Sequence, residues 1–223
     1  MKKLKVLQVL PTLSAGGAEG FVTNLGVSLS RLGVEVNFFL LAGVRGERGR
    51  VLHDRLRKAN IKVFGAEQRN IRSPFNIFRL GYIMRTWRPD IVQANLFSAE
   101  VIVAVSFALT FGGCGYCVRR LANTVHPSGF SGMIFRLMDV FFRQTIACSA
   151  AVSIGYKNLM GRYLKSDLVT IYNGGFLQET VPSVDEKKRA REILGISDKK
   201  LLATLRLFGK SALCFFGPDT NHR

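Results

Sequence analysis

The chain has 223 residues, room for one large domain or for one domain and the start of another. Its 48% hydrophobic content supplies a substantial core and excludes a disordered segment. Thirty-two Lys and Arg against fifteen Asp and Glu give a formal net charge of +17, which points to an anionic partner: nucleic acid, anionic lipid or a phosphorylated substrate.

Short β-branched runs alternate with helical patterns along the chain, the signature of parallel βαβ units. The first strand is expected at Leu4–Leu10 and the loop at Pro11–Gly17. Ala18, Phe21, Val22, Leu25, Leu29 and Leu32 then fall at helical spacing up to Gly33. Val34–Leu41 is a second strand, Val51–Lys58 a helix after a basic loop, and Ile61–Phe64 a short third strand. Ser73-Pro74 starts a helix, with Ser as N-cap and Pro in the first turn, that runs to about Trp87. Pro89–Ala94 and Gly115–Arg120 are strands flanking a buried helix at Ser98–Leu109. A helix at Met133–Phe142 precedes a strand at Thr145–Cys148; Ser149 caps a helix to about Leu164, and Leu168–Tyr172 is the seventh strand. The sum is an α/β, doubly wound, mostly parallel sheet of Rossmann-like type, whose ligands bind where loops leave the C-terminal strand ends. Beyond Asn173-Gly174-Gly175, Gln178–Val184 reads as a linker, Asp185–Leu194 as a charged helix and Leu201–Leu207 as one more strand, while Ser211–Arg223 has no legible periodicity.

Cys114 and Cys117 have C-x-x-C spacing, but no second pair or histidine cluster completes a zinc site, so no metal is expected. With Cys148 and Cys214 they read as reduced thiols of a cytoplasmic protein. The apolar run Val6–Leu10 ends at Pro11, too short for a signal peptide, and Val101–Thr110 falls short of the roughly 20 residues that cross a bilayer.

Ser14-Ala15-Gly16-Gly17-Ala18-Glu19 joins the first strand to its helix. Paired glycines let backbone amides approach a phosphate, and a helix start adds about half a positive charge. The alternative is a tight strand-to-helix turn. The loop lacks both G-x-G-x-x-G spacing and a Walker lysine, so neither a dinucleotide nor any other cofactor is expected.

This opening, Gly-Gly-Ala-Glu and an amphipathic helix ending in Leu-x-x-Gly, resembles that of the family-four (group one) glycosyltransferases of GT-B fold. Arg88-Pro89-Asp90-Ile91-Val92-Gln93-Ala94-Asn95-Leu96 resembles that family's "kPDiVhtHl" strand, Thr145–Ser149 its "iavS" segment, Val169–Gly175 its "v-I-x-N-G" domain end and Arg189–Gly195 its "R-x-x-L-G" helix. Five weak motifs in register over some 190 residues make a specific signal.

The resemblance implies an N-terminal, acceptor-side domain at 1–175, a linker and helix at 176–199, and at 200–223 a remnant of the donor-binding domain or an aberrant tail. It implies retaining transfer of a sugar from a nucleotide-diphosphate donor to a polysaccharide or lipid-linked acceptor, as in lipopolysaccharide synthesis. Gly16, Gly17 and Ala18 would meet the donor diphosphate through backbone amides, with Glu19, Asn95, Asn173 and Gly174 around the cleft. Where relatives often carry histidines in the fourth strand, Gln93, Asn95 and Ser98 stand here, which hydrogen-bond a sugar but shuttle no proton near neutral pH. His126, after the fifth strand, and Asn95 are weak catalytic candidates. Thr204–Lys210 only echoes the family's "G-R-L-x-x-x-K" segment through Arg206 and Lys210, and the paired glutamates of the donor domain are missing. A truncated or frame-shifted, inactive chain is the expectation.

The charge is concentrated: from Arg45 to Arg88, twelve basic residues face only Glu47, Asp54 and Glu67. No nucleic-acid-binding module is legible, so no nucleic acid is expected. Charge alone is compatible with nucleic acid, but an anionic inner leaflet, bound peripherally, and a lipid-pyrophosphate acceptor explain it equally well. Phe130–Phe142 reads as a core helix or as an interfacial membrane helix. The competing overall reading is a non-catalytic Rossmann-like module that binds anionic lipid or nucleic acid.

Overall fold

The structure, a computed structural model, describes residues 3–71, 73–110, 113–122, 129–174, 183–193, 201–207 and 210–216. The chain divides into two compact units, residues 1–173 and 174–223.

The first unit is built on seven strands, β1 (Lys5–Leu10), β2 (Glu35–Leu40), β3 (Lys62–Phe64), β4 (Ile91–Asn95), β5 (Tyr116–Leu121), β6 (Gln144–Ala147) and β7 (Asp167–Thr170). They form one sheet in the order β3-β2-β1-β4-β5-β6-β7, and every pairing is parallel. The connections are α1 (Gly17–Arg31), α2 (Gly46–Lys58), α3 (Phe75–Trp87), α4 (Phe97–Leu109), α5 (Gly129–Leu137) and α6 (Ala150–Met160). The doubly wound reading of the sequence is therefore the architecture.

Period-two alternation divides the core between the sheet's faces. On one face Leu10, Phe38 and Leu40 meet Val22 of α1 and Leu52 and Leu56 of α2. On the other, Leu7, Val9 and Phe39 meet Leu80 and Met84 of α3 and Val103 of α4. Fully burying a side chain such as Phe38 or Phe39 contributes about 1.5–3 kcal/mol, so β2 is held from both sides. α1 and α2 stop alike. Gly33 takes φ +86 and donates to Ser30 O while Val34 donates to Leu29 O, a Schellman closure. Asn60, at φ +56, closes α2 in the same way, through Asn60 N to Arg57 O and Ile61 N to Leu56 O.

β5 is fastened by a buried cation. Arg119 is fully buried among the rings of Phe135, Phe142 and Tyr156 and pairs with Asp139 and, at 3.4 Å, with Glu100 of α4. Asp139 also accepts from Tyr156 Oη at 2.6 Å, Ser166 N at 2.8 Å and Ser166 Oγ at 2.9 Å. Burial works against its charge, but these donors and Arg119 hold its carboxyl below the usual range. Glu100, more weakly paired, is pushed by burial up to about 7.

Several boundaries differ from the sequence reading. α2 begins at Gly46, not Val51, because its first turn lies against the β1–α1 loop: a Cβ on Gly49 would stand 3.1 Å from the Leu13 carbonyl carbon. Ser73 does not cap α3; the cap position is Pro74, without a side-chain hydrogen bond. The helix expected at Met133–Phe142 is α5 followed by a 3-10 turn at Met138–Phe141. Phe135, Met138 and Phe142 of this segment belong to the core, while Phe130, Met133, Leu137 and Val140 are exposed. In the second unit, α7 (Val184–Ile193) precedes β8 (Leu201–Leu207) and β9 (Lys210–Phe216). β9 pairs antiparallel with β8 where no periodicity was legible, because its Ala-Leu-Cys-Phe-Phe run does not alternate.

Candidate functional site

The crossovers diverge at β1 and β4, with α1 and α2 on one face and α3 and α4 on the other. The crevice outside the carboxyl ends of these two strands is where open α/β sheets bind ligands. The β1–α1 loop enters it on a rigid stem. Beyond β1, Leu41 N donates to Leu10 O at 3.0 Å, Ala42 N to Pro11 O at 2.8 Å, Leu13 N to Gly43 O at 3.0 Å and Arg45 N to Leu13 O at 2.8 Å.

At the tip, Gly16 is the N-cap of α1, in ordinary extended backbone (φ −69, ψ 149), and no side chain caps the helix. The N–H groups of its first turn lack intrahelical acceptors and carry the positive end of the helix dipole. The two glycines exist for different reasons. A Cβ on Gly16 would stand 2.7 Å from the Glu19 carboxyl carbon, which folds back over it and accepts from Ser14 Oγ at 2.9 Å. Glu19 is buried, so its role is to brace the loop from beneath. Gly17 is exposed, is the first residue of α1, and a Cβ there would meet nothing within 4 Å among the described residues. Neither packing nor backbone conformation requires glycine at that position.

The end of β4 lies beside this loop. Leu96, immediately after it, has φ +72, an arrangement that costs a non-glycine residue about 1–3 kcal/mol. Asn95, a candidate from sequence, is buried. Its Nδ2 donates to Gln8 Oε1 at 3.0 Å and Val9 O at 3.3 Å, and its Oδ1 accepts from Gln93 Nε2 at 3.1 Å. These amides close a ring beneath the crevice instead of lining it, so Asn95 supports the floor. Asn173 lies at the end of the first unit, where its Oδ1 accepts from Arg120. Gly174 opens the second unit. Ser149 caps α6 through its Oγ, which accepts from Val152 N at 3.3 Å. His126 lies outside the described residues, as does Gly175. Arg206 and Lys210 fall on the hairpin, Arg206 opposite Ser211 and Lys210 opposite Leu207.

The sequence reading passed over Arg120, at the same end of β5. It is 5% exposed and stacks on Phe21 of α1 at 3.9 Å. The signal was an Arg-Arg pair inside an otherwise apolar strand, one residue for each face. The Cys114 and Cys117 sulfurs stand 4.0 Å apart, and sharing that contact, together with burial, pushes the Cys117 thiol well above its usual range. No group of three His, Cys, Asp or Glu able to hold a metal ion occurs among the described residues.

The sequence profile of Glycosyltransferase Family 4 matches residues 15–175, from the glycine loop to the end of the sheet. The chain belongs to this family. Its structure is similar to that of HepE from Anabaena, solved with UDP and glucose (TM-score 0.65, 20% identity, covering 86% of this chain and 50% of HepE). It is similar too to a glycosyltransferase from Rickettsia africae (TM-score 0.65, 18% identity, covering 89% of this chain and 51% of the relative). The lipopolysaccharide outer-core galactosyltransferase WaaB follows at TM-score 0.56 and 11% identity, over 79% of this chain and 47% of WaaB. At these identities the likeness shows the fold, and the chain spans about half the length of each structure. No curated protein matches the chain significantly.

Proposed function

We propose that residues 1–175 form the acceptor-side domain of a retaining glycosyltransferase that moves a sugar from a nucleotide-diphosphate donor to a polysaccharide or lipid-linked acceptor. The observation that carries this reading is Gly17: exposed, helical, unrequired by packing, and placed at an uncapped helix start in the crevice of the sheet. As the bond between sugar and diphosphate breaks, negative charge builds on the departing phosphate, and preorganised amides at Gly17 and Ala18 meet it without reorganisation. Glu19 and Ser14 keep the loop in that shape. Family relatives grip the donor with a second domain, of which residues 200–223 carry at most Arg206 and Lys210. This chain by itself is therefore expected to bind a diphosphate weakly and to transfer no sugar. Incubation with radiolabelled nucleotide-sugars and membrane-derived acceptors tests this; transfer above that of a Gly17→Val variant overturns the assignment of the donor grip to another domain.

An acceptor at an anionic membrane is favoured by a specific surface. On α3, Phe75, Phe78 and Tyr82 are each about 70% exposed and share one helical face. Beside them lies a pocket of about 440 Å³ lined by Gln68, Arg69, Asn70, Ser73, Phe75 and Arg79. Aromatic residues flanked by arginines suit a peripheral, interfacial contact. No helix among the described residues is long and apolar enough to cross a membrane.

A further inference from the structure

We propose that Arg120 is a diphosphate-binding residue of this domain, a cation that works with the Gly17 amides; the inference rests on the donor-diphosphate reading above and deepens it. The neighbouring residue provides the contrast. Where this fold buries an arginine for structure, at Arg119, it supplies two carboxylates, Glu100 and Asp139, as well as three rings. Arg120 is nearly as buried, yet no carboxylate lies within ion-pairing distance of it among the described residues. Its neighbours there include the Phe21 ring, the neutral Asn173 amide oxygen and the Cys148 thiol. A ring and an amide orient a guanidinium without neutralising it, and a desolvated, uncompensated cation is costly unless an anion joins it.

The position fits that anion. Arg120 pairs in register with Asn95 of β4, at the switch point of the sheet. Its guanidinium lies on the α1 face, and Phe21 is about one helical turn from Gly17. The planar fork presents several donors and Asn173 engages one of its terminal nitrogens, leaving others for phosphate oxygens. Diphosphate chemistry occurs in a nucleotide-sugar and in a lipid-linked acceptor alike.

The test is calorimetric titration of the whole chain at low salt with inorganic pyrophosphate, UDP and geranyl diphosphate, together with thermal melts. Variants are Arg120→Gln, Arg120→Lys and Arg50→Gln, the last removing the same charge from the exposed outer side of α2. Arg120→Gln is expected to weaken pyrophosphate at least about tenfold, as for loss of a charge-assisted contact, with Arg120→Lys intermediate and Arg50→Gln unchanged. UDP affected more than geranyl diphosphate assigns the donor; the reverse assigns a lipid acceptor. Equal affinities in Arg120→Gln and Arg50→Gln, or a lowered melting temperature with unchanged pyrophosphate binding, overturn the proposal and leave the glycine loop standing. Absence of pyrophosphate binding to the unaltered chain overturns it as well. If pyrophosphate binding needs Arg120 but UDP does not bind, the Arg120 site stands and the nucleotide-sugar reading falls.

Discussion

Alanine placed at each loop glycine should produce opposite results, because the two glycines answer to different neighbours. At Gly16 the new methyl overlaps the Glu19 carboxylate and must expel it from its place against Ser14. A hydrogen bond to a charged group is worth about 1.5–3 kcal/mol, and alanine is also a poorer N-cap than glycine. Gly16→Ala should therefore destabilise the first unit by roughly 1–3 kcal/mol. At Gly17 the methyl enters open space on a residue already helical. There the loss of unfolded-state freedom stabilises by about 0.4–1 kcal/mol. If Gly17 and Ala18 meet a diphosphate as proposed, the same methyl stands in the path of the phosphate to their amides. Loss of even one charge-assisted bond, at about 1.5 kcal/mol or more, weakens binding at least about tenfold. Urea melts and pyrophosphate titrations on both variants separate the effects. Gly17→Ala binding pyrophosphate as tightly as the unaltered chain refutes the reasoning, as does a Gly17→Ala variant less stable than Gly16→Ala.

Removing Asp139 strands Arg119 in the core, so Asp139→Ala should cost about 3–5 kcal/mol in urea melts, while a cost near zero would mean that the rings alone compensate the cation. Glu100 binds its proton more tightly in the fold, at about 7, than at its ordinary 4.5. The native state therefore holds more protons in that window, and stability should fall by up to about 3 kcal/mol as pH rises from 4.5 to 7, then level off; Glu100→Gln should flatten the profile, and an unchanged slope in that variant would assign it to another group. The chain should sediment with anionic but not neutral liposomes and be released by salt, with Phe78→Glu weakening sedimentation; equal binding to both vesicle types would contradict the interfacial reading.

The sheet was legible because its strands are short apolar runs between helical patterns, and because Gly33 and the glycine pair mark where α1 stops and starts. β9 was not, since a run such as Ala-Leu-Cys-Phe-Phe has neither a strand's nor a helix's period. Within the site, the position of Gly17 followed from spacing, but the task of Glu19 did not. A carboxylate in a first helical turn is favourable anywhere, and only the overlap with Gly16 shows that it braces the loop. Asn95 looked like a ligand because it ends a strand; its contacts with Gln8 join residues 87 apart in sequence, which no local pattern reveals. Arg119 and Arg120 are indistinguishable as letters, and only the structure shows the different partners on the two faces of β5.

An amide-resolved NMR titration of the isotopically labelled chain with UDP reports directly on the proposed diphosphate role of the glycine loop. The largest shifts should fall on the Gly16, Gly17 and Ala18 amides, with smaller ones along the ends of β4 and β5, and Gly17→Val should abolish them. Shifts concentrated on the basic face of α2 and α3, with the Gly16–Ala18 amides unmoved, would contradict it.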